Sequence, residues 1–251
     1  MIARLTQPAC AAALLAGLEQ PMLWSYLAGR MGEAFADDAV QPQAVLVRVG
    51  DFRFLAGAPS AALVDFLAAE QAAFSIAVPC APGWSVLIAS RCPQAQPVTR
   101  YAFEKRRAFE PDRLRRFVSA LPAGYTLRRM DQPLHQAAAS RDWSRDLVSQ
   151  YPSFSDYRMH GAGFAALYGA ELVCGASSYA DWPGGIEIEI DCHPAHRRKG
   201  LARACAAALI LDCLSRGLLP CWDAANPVSA HLAQTLGFVP AGPYTAYEMK
   251  Q

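Results

Sequence analysis

The stretch Ile186-Glu187-Ile188-Glu189-Ile190-Asp191-Cys192-His193-Pro194-Ala195-His196-Arg197-Arg198-Lys199-Gly200-Leu201-Ala202 decides the fold of this chain. Its first half alternates apolar and acidic residues, the period of a half-buried strand. Pro194 turns the chain, and a basic loop containing Gly200 leads into an Ala-rich run expected to be helical to about Arg216, where Gly217 caps it. The first backbone N–H groups of a helix have no partner within it, and the helix dipole adds positive charge there. A strand that delivers a basic Gly loop to such a helix end is a device for holding phosphate. The alternation also puts Glu187, Glu189 and Asp191 on one strand face.

Working outward, short strands and helices fill the rest of the 251 residues. Ala44–Val49 and Phe52–Ala56 read as strands joined at Gly50-Asp51, a hairpin signal. Ala61–Ala73 reads as a helix and Trp84–Ala89 as another strand. Leu121-Pro122-Ala123-Gly124 suggests a boundary between a domain over 1–121 and a domain over 122–251. Beyond it, Tyr125–Met130, Gly163–Tyr168 and Glu171–Tyr179 read as strands. Pro220–Trp222 is a short strand, Pro227–Leu236 a helix, and Gly237–Met249 a hairpin around Gly242-Pro243.

Bulk properties exclude several classes. With 53% hydrophobic and 18% charged residues, the chain can build a core and is not a disordered tail. A formal net charge of +1 gives no general attraction to nucleic acid or an anionic membrane. Apolar runs fall short of the roughly 20 residues that span a bilayer. Ala9–Leu18 reads as a helix rather than a leader, so the expected location is the cytoplasm. Eight cysteines without a C-x-x-C pair read as reduced, packed thiols. His193 and His196 lack the partners of a metal site, and no metal is expected. The basic run from Arg100 to Arg129, including Arg106 and Arg107, reads as solvated surface rather than a nucleic-acid patch.

The order strand, basic Gly loop, helix, strand, helix resembles the GCN5-related N-acetyltransferase (GNAT) superfamily. Arg197-Arg198-Lys199-Gly200-Leu201-Ala202 fits its loop pattern Q/R-x-x-G-x-G/A. A second block, N-x-x-[AS]-x-x-L-x-x-x-x-G-F, fits Asn226, Ser229, Leu232, Gly237 and Phe238. Trp222-Asp223-Ala224-Ala225-Asn226 and Gly161–Leu167 further resemble a two-domain branch that includes zwittermicin-resistance-type acetyltransferases. The resemblance implies an α/β fold, a mixed twisted sheet flanked by helices, with an additional N-terminal α/β domain that is itself a degenerate copy.

It also implies acetyl-CoA as co-substrate and transfer to a primary amine of a small molecule by direct attack in a ternary complex. The amides of Arg198 to Ala202 would meet the pyrophosphate, with Arg197, Arg198 and Lys199 adding charge and Gly200 allowing close approach. Ile190, Asp191 and Cys192 would pair by backbone with the pantetheine arm, and an N–H there would hold the thioester oxyanion. Asn226 would contact the coenzyme. Glu187 and Glu189 are the candidate bases, Glu187 ahead because it lies further from the loop. One departure is Ala233, where many members carry the Tyr that protonates the leaving thiolate. Tyr244 or Tyr247 could replace it, or CoA could leave as the thiolate. The alternatives are an inactive acyl-CoA-binding regulatory module and, more weakly, a nucleic-acid-associated protein. A homodimer is the assembly left open.

Overall fold

A computed structural model describes residues 2–105 and 109–250, so Arg106 and Arg107 of the basic run lie outside the described residues. The chain divides into two compact units, Met1–Arg100 with Pro243–Gln251, and Tyr101–Gly242. The first contains β1 (Ala3–Leu5), α1 (Ala12–Leu15), α2 (Pro21–Leu27), β2 (Glu33–Ala36), β3 (Ala44–Val49), β4 (Phe52–Gly57), α3 (Ala61–Ala68), β5 (Phe74–Pro79) and α4 (Trp84–Arg91). Strand β6 (Gln96–Phe103) carries the chain into the second. There follow α5 (Pro111–Ser119), β7 (Tyr125–Arg129), α6 (Gln132–Ala139), a 3-10 turn at Arg145–Leu147, α7 (Phe154–His160), β8 (Gly163–Tyr168), β9 (Glu171–Trp182) and β10 (Gly185–Cys192). Then come α8 (Leu201–Ser215), β11 (Leu219–Cys221), β12 (Asp223–Ala224), α9 (Pro227–Leu236) and β13 (Pro240–Lys250).

The two units run in the same order. In the first, β1 pairs β2, β2, β3 and β4 form an antiparallel meander, and β5 joins β4 in parallel after α3. In the second, β7 pairs β8, β8, β9 and β10 form the meander, and β11 joins β10 in parallel after α8. A parallel neighbour needs a crossover, and α3 and α8 supply it. The mixed α/β sheets with helical cover are those expected.

Each core follows from its crossover helix. In the second unit, Leu201, Cys205 and Leu209 of α8 are buried against Ile186 and Ile188 of β10 and Cys174 and Ala176 of β9. The alanines of α8 let it lie close to the sheet, and Leu114 of α5 covers its other side. In the first unit, Leu63 and Leu67 of α3 meet Leu46, Leu55, Trp84 and Ile88.

Four expectations differ from the structure. Trp84–Ala89 is part of helix α4, not a strand. Trp84 and Ile88 lie one turn apart and are both fully buried, and Gly83 enters the helix at φ +91°. The α3 helix ends at Ala68, short of Ala73. The expected terminal hairpin is one strand, β13, whose residues Tyr247 to Lys250 pair antiparallel with Phe74 to Ala77 of β5. The division falls at Arg100/Tyr101, with Pro243 onward returned to the first unit, rather than at 121/122. The physical reason is that α5 packs on α8, while Tyr101 and Ala102 of β6 pair with β12.

Candidate functional site

The strands of the second unit open a cleft. β11 pairs with β10 only from Gly185↔Leu219 to Glu187↔Cys221. The chain then leaves: Trp222 packs on Phe238 with ring centroids 5.3 Å apart, and β12 pairs with β6. Pro220, lacking an N–H, suits such a short edge strand. β10 continues alone on this side to Cys192, so its backbone edge faces a cleft of about 710 Å³. Ile190, Asp191 and Cys192 form one wall, and Trp222, Asn226 and Ser229 the opposite one.

The N-terminus of α8 closes one end of this cleft. Gly200 is its N-cap at φ +79° and supplies no side-chain cap. Arg198 also sits in the left-handed region, at φ +61°. Left-handed residues alternating with a residue of negative φ, Lys199, turn backbone N–H groups toward one point, which makes an anion-binding concavity. Arg197, Arg198 and Arg203 line the same space. Arg197 Nε donates to Cys192 O at 3.1 Å, tying the loop back to the strand end. Arg203 lies over the Phe117 ring, 4.7 Å from its centroid.

Residues 12–247 match the GNAT acetyltransferase family. The chain belongs to the GNAT acetyltransferase family. A GCN5-related N-acetyltransferase-like protein from Streptococcus suis 89/1591 superposes with a TM-score of 0.91 at 37% identity, covering 97% of this chain and 98% of that one. A tandem GNAT protein from the clavulanic acid biosynthesis pathway superposes at 0.60 and 13% identity over 99% of this chain and 98% of its own, a likeness of fold. The uncharacterized N-acetyltransferase YdfB of Bacillus subtilis (strain 168) is 31% identical over 131 residues, 51% of this chain. The chain spans about half, 49%, of YdfB. The L-amino acid N-acyltransferase MnaT of Escherichia coli (strain K12) is 34% identical over 117 residues, 42% of this chain and 67% of MnaT.

In this GNAT chain the cleft gathers most of the coenzyme residues expected from sequence. Ile190, Asp191, Cys192, Arg197, Arg198, Gly200, Leu201, Ala202 and Asn226 all line it. Lys199 does not. Its Nζ turns to Tyr125 Oη at 3.0 Å, and Tyr125 Oη meets His196 Nδ1 at 2.9 Å. Asn226 caps α9 by accepting the Ser229 N–H at 3.0 Å on Oδ1. His193 accepts from Ala195 N at 3.3 Å, and no metal-holding group occurs among the described residues.

The three carboxylates of β10 share a face but differ in setting. Glu187 is 3% exposed and outside the cleft lining. Glu189 is half-buried, and its Oε1 accepts the Ile190 N–H at 3.0 Å. Asp191 lines the cleft. Burial, then the charge of Asp146, push its carboxyl up to about 6, against the opposing pull of Arg197. The hydrogen bond to Cys174, and then burial, raise the Cys192 thiol, which keeps it a protonated packing residue. Ala233 is fully buried, and Tyr247 belongs to the core of the first unit.

Sequence reasoning passed over Arg203 and the pairing of Trp222 with Ser229. Arg203 lies one residue past the loop motif on α8, so the strand-loop-helix reading already contained its signal.

Proposed function

We propose that the protein transfers an acetyl group from acetyl-CoA to the primary amine of a small molecule, by direct attack in a ternary complex. The observation that carries this reading is the uncapped N-terminus of α8 opening into the same cleft as the unpaired-strand edge of β10. A diphosphate at Gly200 would receive backbone N–H groups and the charge of Arg198 and Arg203. An amide-bearing arm laid along Ile190 to Cys192 would add as a strand. That brings the thioester carbonyl to the Ile190 N–H, which stabilises the oxygen as it gains negative charge.

Glu189 Oε1 accepts that N–H at 3.0 Å. Arrival of the carbonyl displaces the carboxylate, which is then beside the reacting carbon and takes the proton of the attacking amine. The name of MnaT makes L-amino acids the first acceptors to test.

The experiment is acetyl-CoA consumption by the purified protein against a panel of amines. Turnover is expected with at least one of them. Glu189→Gln should lower it roughly 100-fold or more, within the range of general-base catalysis, while coenzyme affinity is kept. Gly200→Glu should abolish coenzyme binding. Acetyl-CoA binding without turnover on any amine supports an acyl-CoA-binding regulatory module instead, and no binding overturns both.

A further inference from the structure

We infer that Ser229 donates a hydrogen bond to the sulfur of the departing thiolate, with Trp222 as the residue that positions it. The inference rests on the acyl-thioester reading of the cleft. Ser229 and Ile190 line the same cleft. Ser229 is fixed at two points: its N–H donates to Asn226 Oδ1 at 3.0 Å, and its Oγ receives Trp222 Nε1 at 3.1 Å.

The indole N–H can only donate, so Ser229 Oγ is the acceptor in that bond. Trp222 is the one partner of this hydroxyl among the described residues. The hydroxyl proton is therefore unspent, and the hydroxyl lies on a cleft wall. Three other hydrogen-bonding side chains around the cleft are already engaged. Thr235 Oγ1 donates to His231 O at 2.9 Å. His196 Nδ1 is held by Tyr125. The Cys192 thiol is hydrogen-bonded to Cys174 and raised well away from acidity.

The step balances without a strong acid. The amine nitrogen bonds to the carbonyl carbon, and Glu189 takes the amine proton. The C–S bond then breaks, and its electron pair stays on sulfur. Ser229 keeps its own proton and stabilises the thiolate through the O–H hydrogen bond; solvent later protonates the thiolate. A serine hydroxyl suits this role, because a hydrogen bond to a charged atom is worth more than one between neutral groups. Trp222 is 3% exposed and locked against Phe238, so the hydroxyl oxygen has little freedom to turn away.

The test uses the full chain and two readouts. In turnover with acetyl-CoA, Ser229→Ala should lower kcat roughly 10- to 100-fold, the span for a lost hydrogen bond to a charged group. Acetyl-CoA affinity and melting temperature should stay close to the parent's. Trp222→Phe should give a smaller loss of kcat, and Ser229→Thr should restore most of it. In the second readout, free CoA is titrated with pH and its thiolate followed by ultraviolet absorbance. The parent should bind CoA with a depressed thiol pKa, and Ser229→Ala should return it toward that of free CoA. Unchanged kcat together with an unshifted thiol overturns the role of Ser229. So does a kcat loss matched by an equal loss of coenzyme affinity. Absent turnover by the parent would sink the acyl-transfer reading alone, because the thiol titration still decides Ser229.

Discussion

Asp191 shows how a single residue can be placed by sequence yet misjudged in character. Its folded carboxyl sits near 6, above the ~3.9 of an unfolded chain. The folded form therefore holds the proton more tightly than the unfolded form. The stability this group contributes is fully present below about pH 4 and is lost as pH rises through 6. Asp191→Asn should melt at a higher temperature than the parent at pH 7.5, with the gap closing by pH 4. A series of melting curves against pH checks this, and a gap that stays constant refutes it. The strand period had placed Glu187, Glu189 and Asp191 on one face, as observed. It could not rank their burial, because burial depends on what packs over that face: Leu147 covers Gly175, the cross-strand neighbour of Asp191. Lys199 was likewise misdirected. A loop motif encodes backbone shape at Gly200, whereas the direction of a long side chain depends on distant partners such as Tyr125.

At the level of elements, the two crossover helices carry opposite instructions at their starts. Ser60 caps α3 by accepting the Leu63 N–H at 3.4 Å, so that helix end is satisfied internally. Gly200 leaves α8 open. Asn226 caps α9 and faces the cleft as well. Ser60→Ala and Asn226→Ala should each cost about 1 kcal/mol of stability, the typical worth of a cap. Only Asn226→Ala should also weaken acetyl-CoA binding, as measured by calorimetry. Equal coenzyme affinity in the two variants would separate Asn226 from the site. Helices α8 and α9 and the β3–β4 hairpin were legible because their punctuation is strong: Gly200 and Gly217, Asn226 and Gly237, Gly50-Asp51. Helix α4 was not, since a short apolar run such as Trp84–Ala89 fits a buried strand as well as a buried helix.

Across the whole molecule, the order of β1–β5 is repeated in β7–β11, and of the two crossover helices α3 is capped by a side chain while α8 is open. The units are not separable at the Pro122 turn. A chain cut between 121 and 122 would take β13 from the edge of β5, and would take β6 and Leu114 from the core of α8. Both fragments should be insoluble or molten when made separately, as read by amide exchange and size-exclusion chromatography. A well-folded 122–251 fragment would contradict this. The exchange was invisible in sequence because strand pairing between Ala77 and Tyr247 leaves no local mark.

The pairing of β13 with β5 also imposes an order in time. Ala77 leaves the ribosome 170 residues before its partner Tyr247 does. At synthesis rates of about 5–20 residues per second, that is a wait of roughly 10 to 30 seconds. During it the β5 edge, Phe74 to Ala77, is exposed without the strand that finally covers it. The earliest part of the chain to be made is thus among the last to be completed, and the nascent protein must be kept from aggregating through that interval.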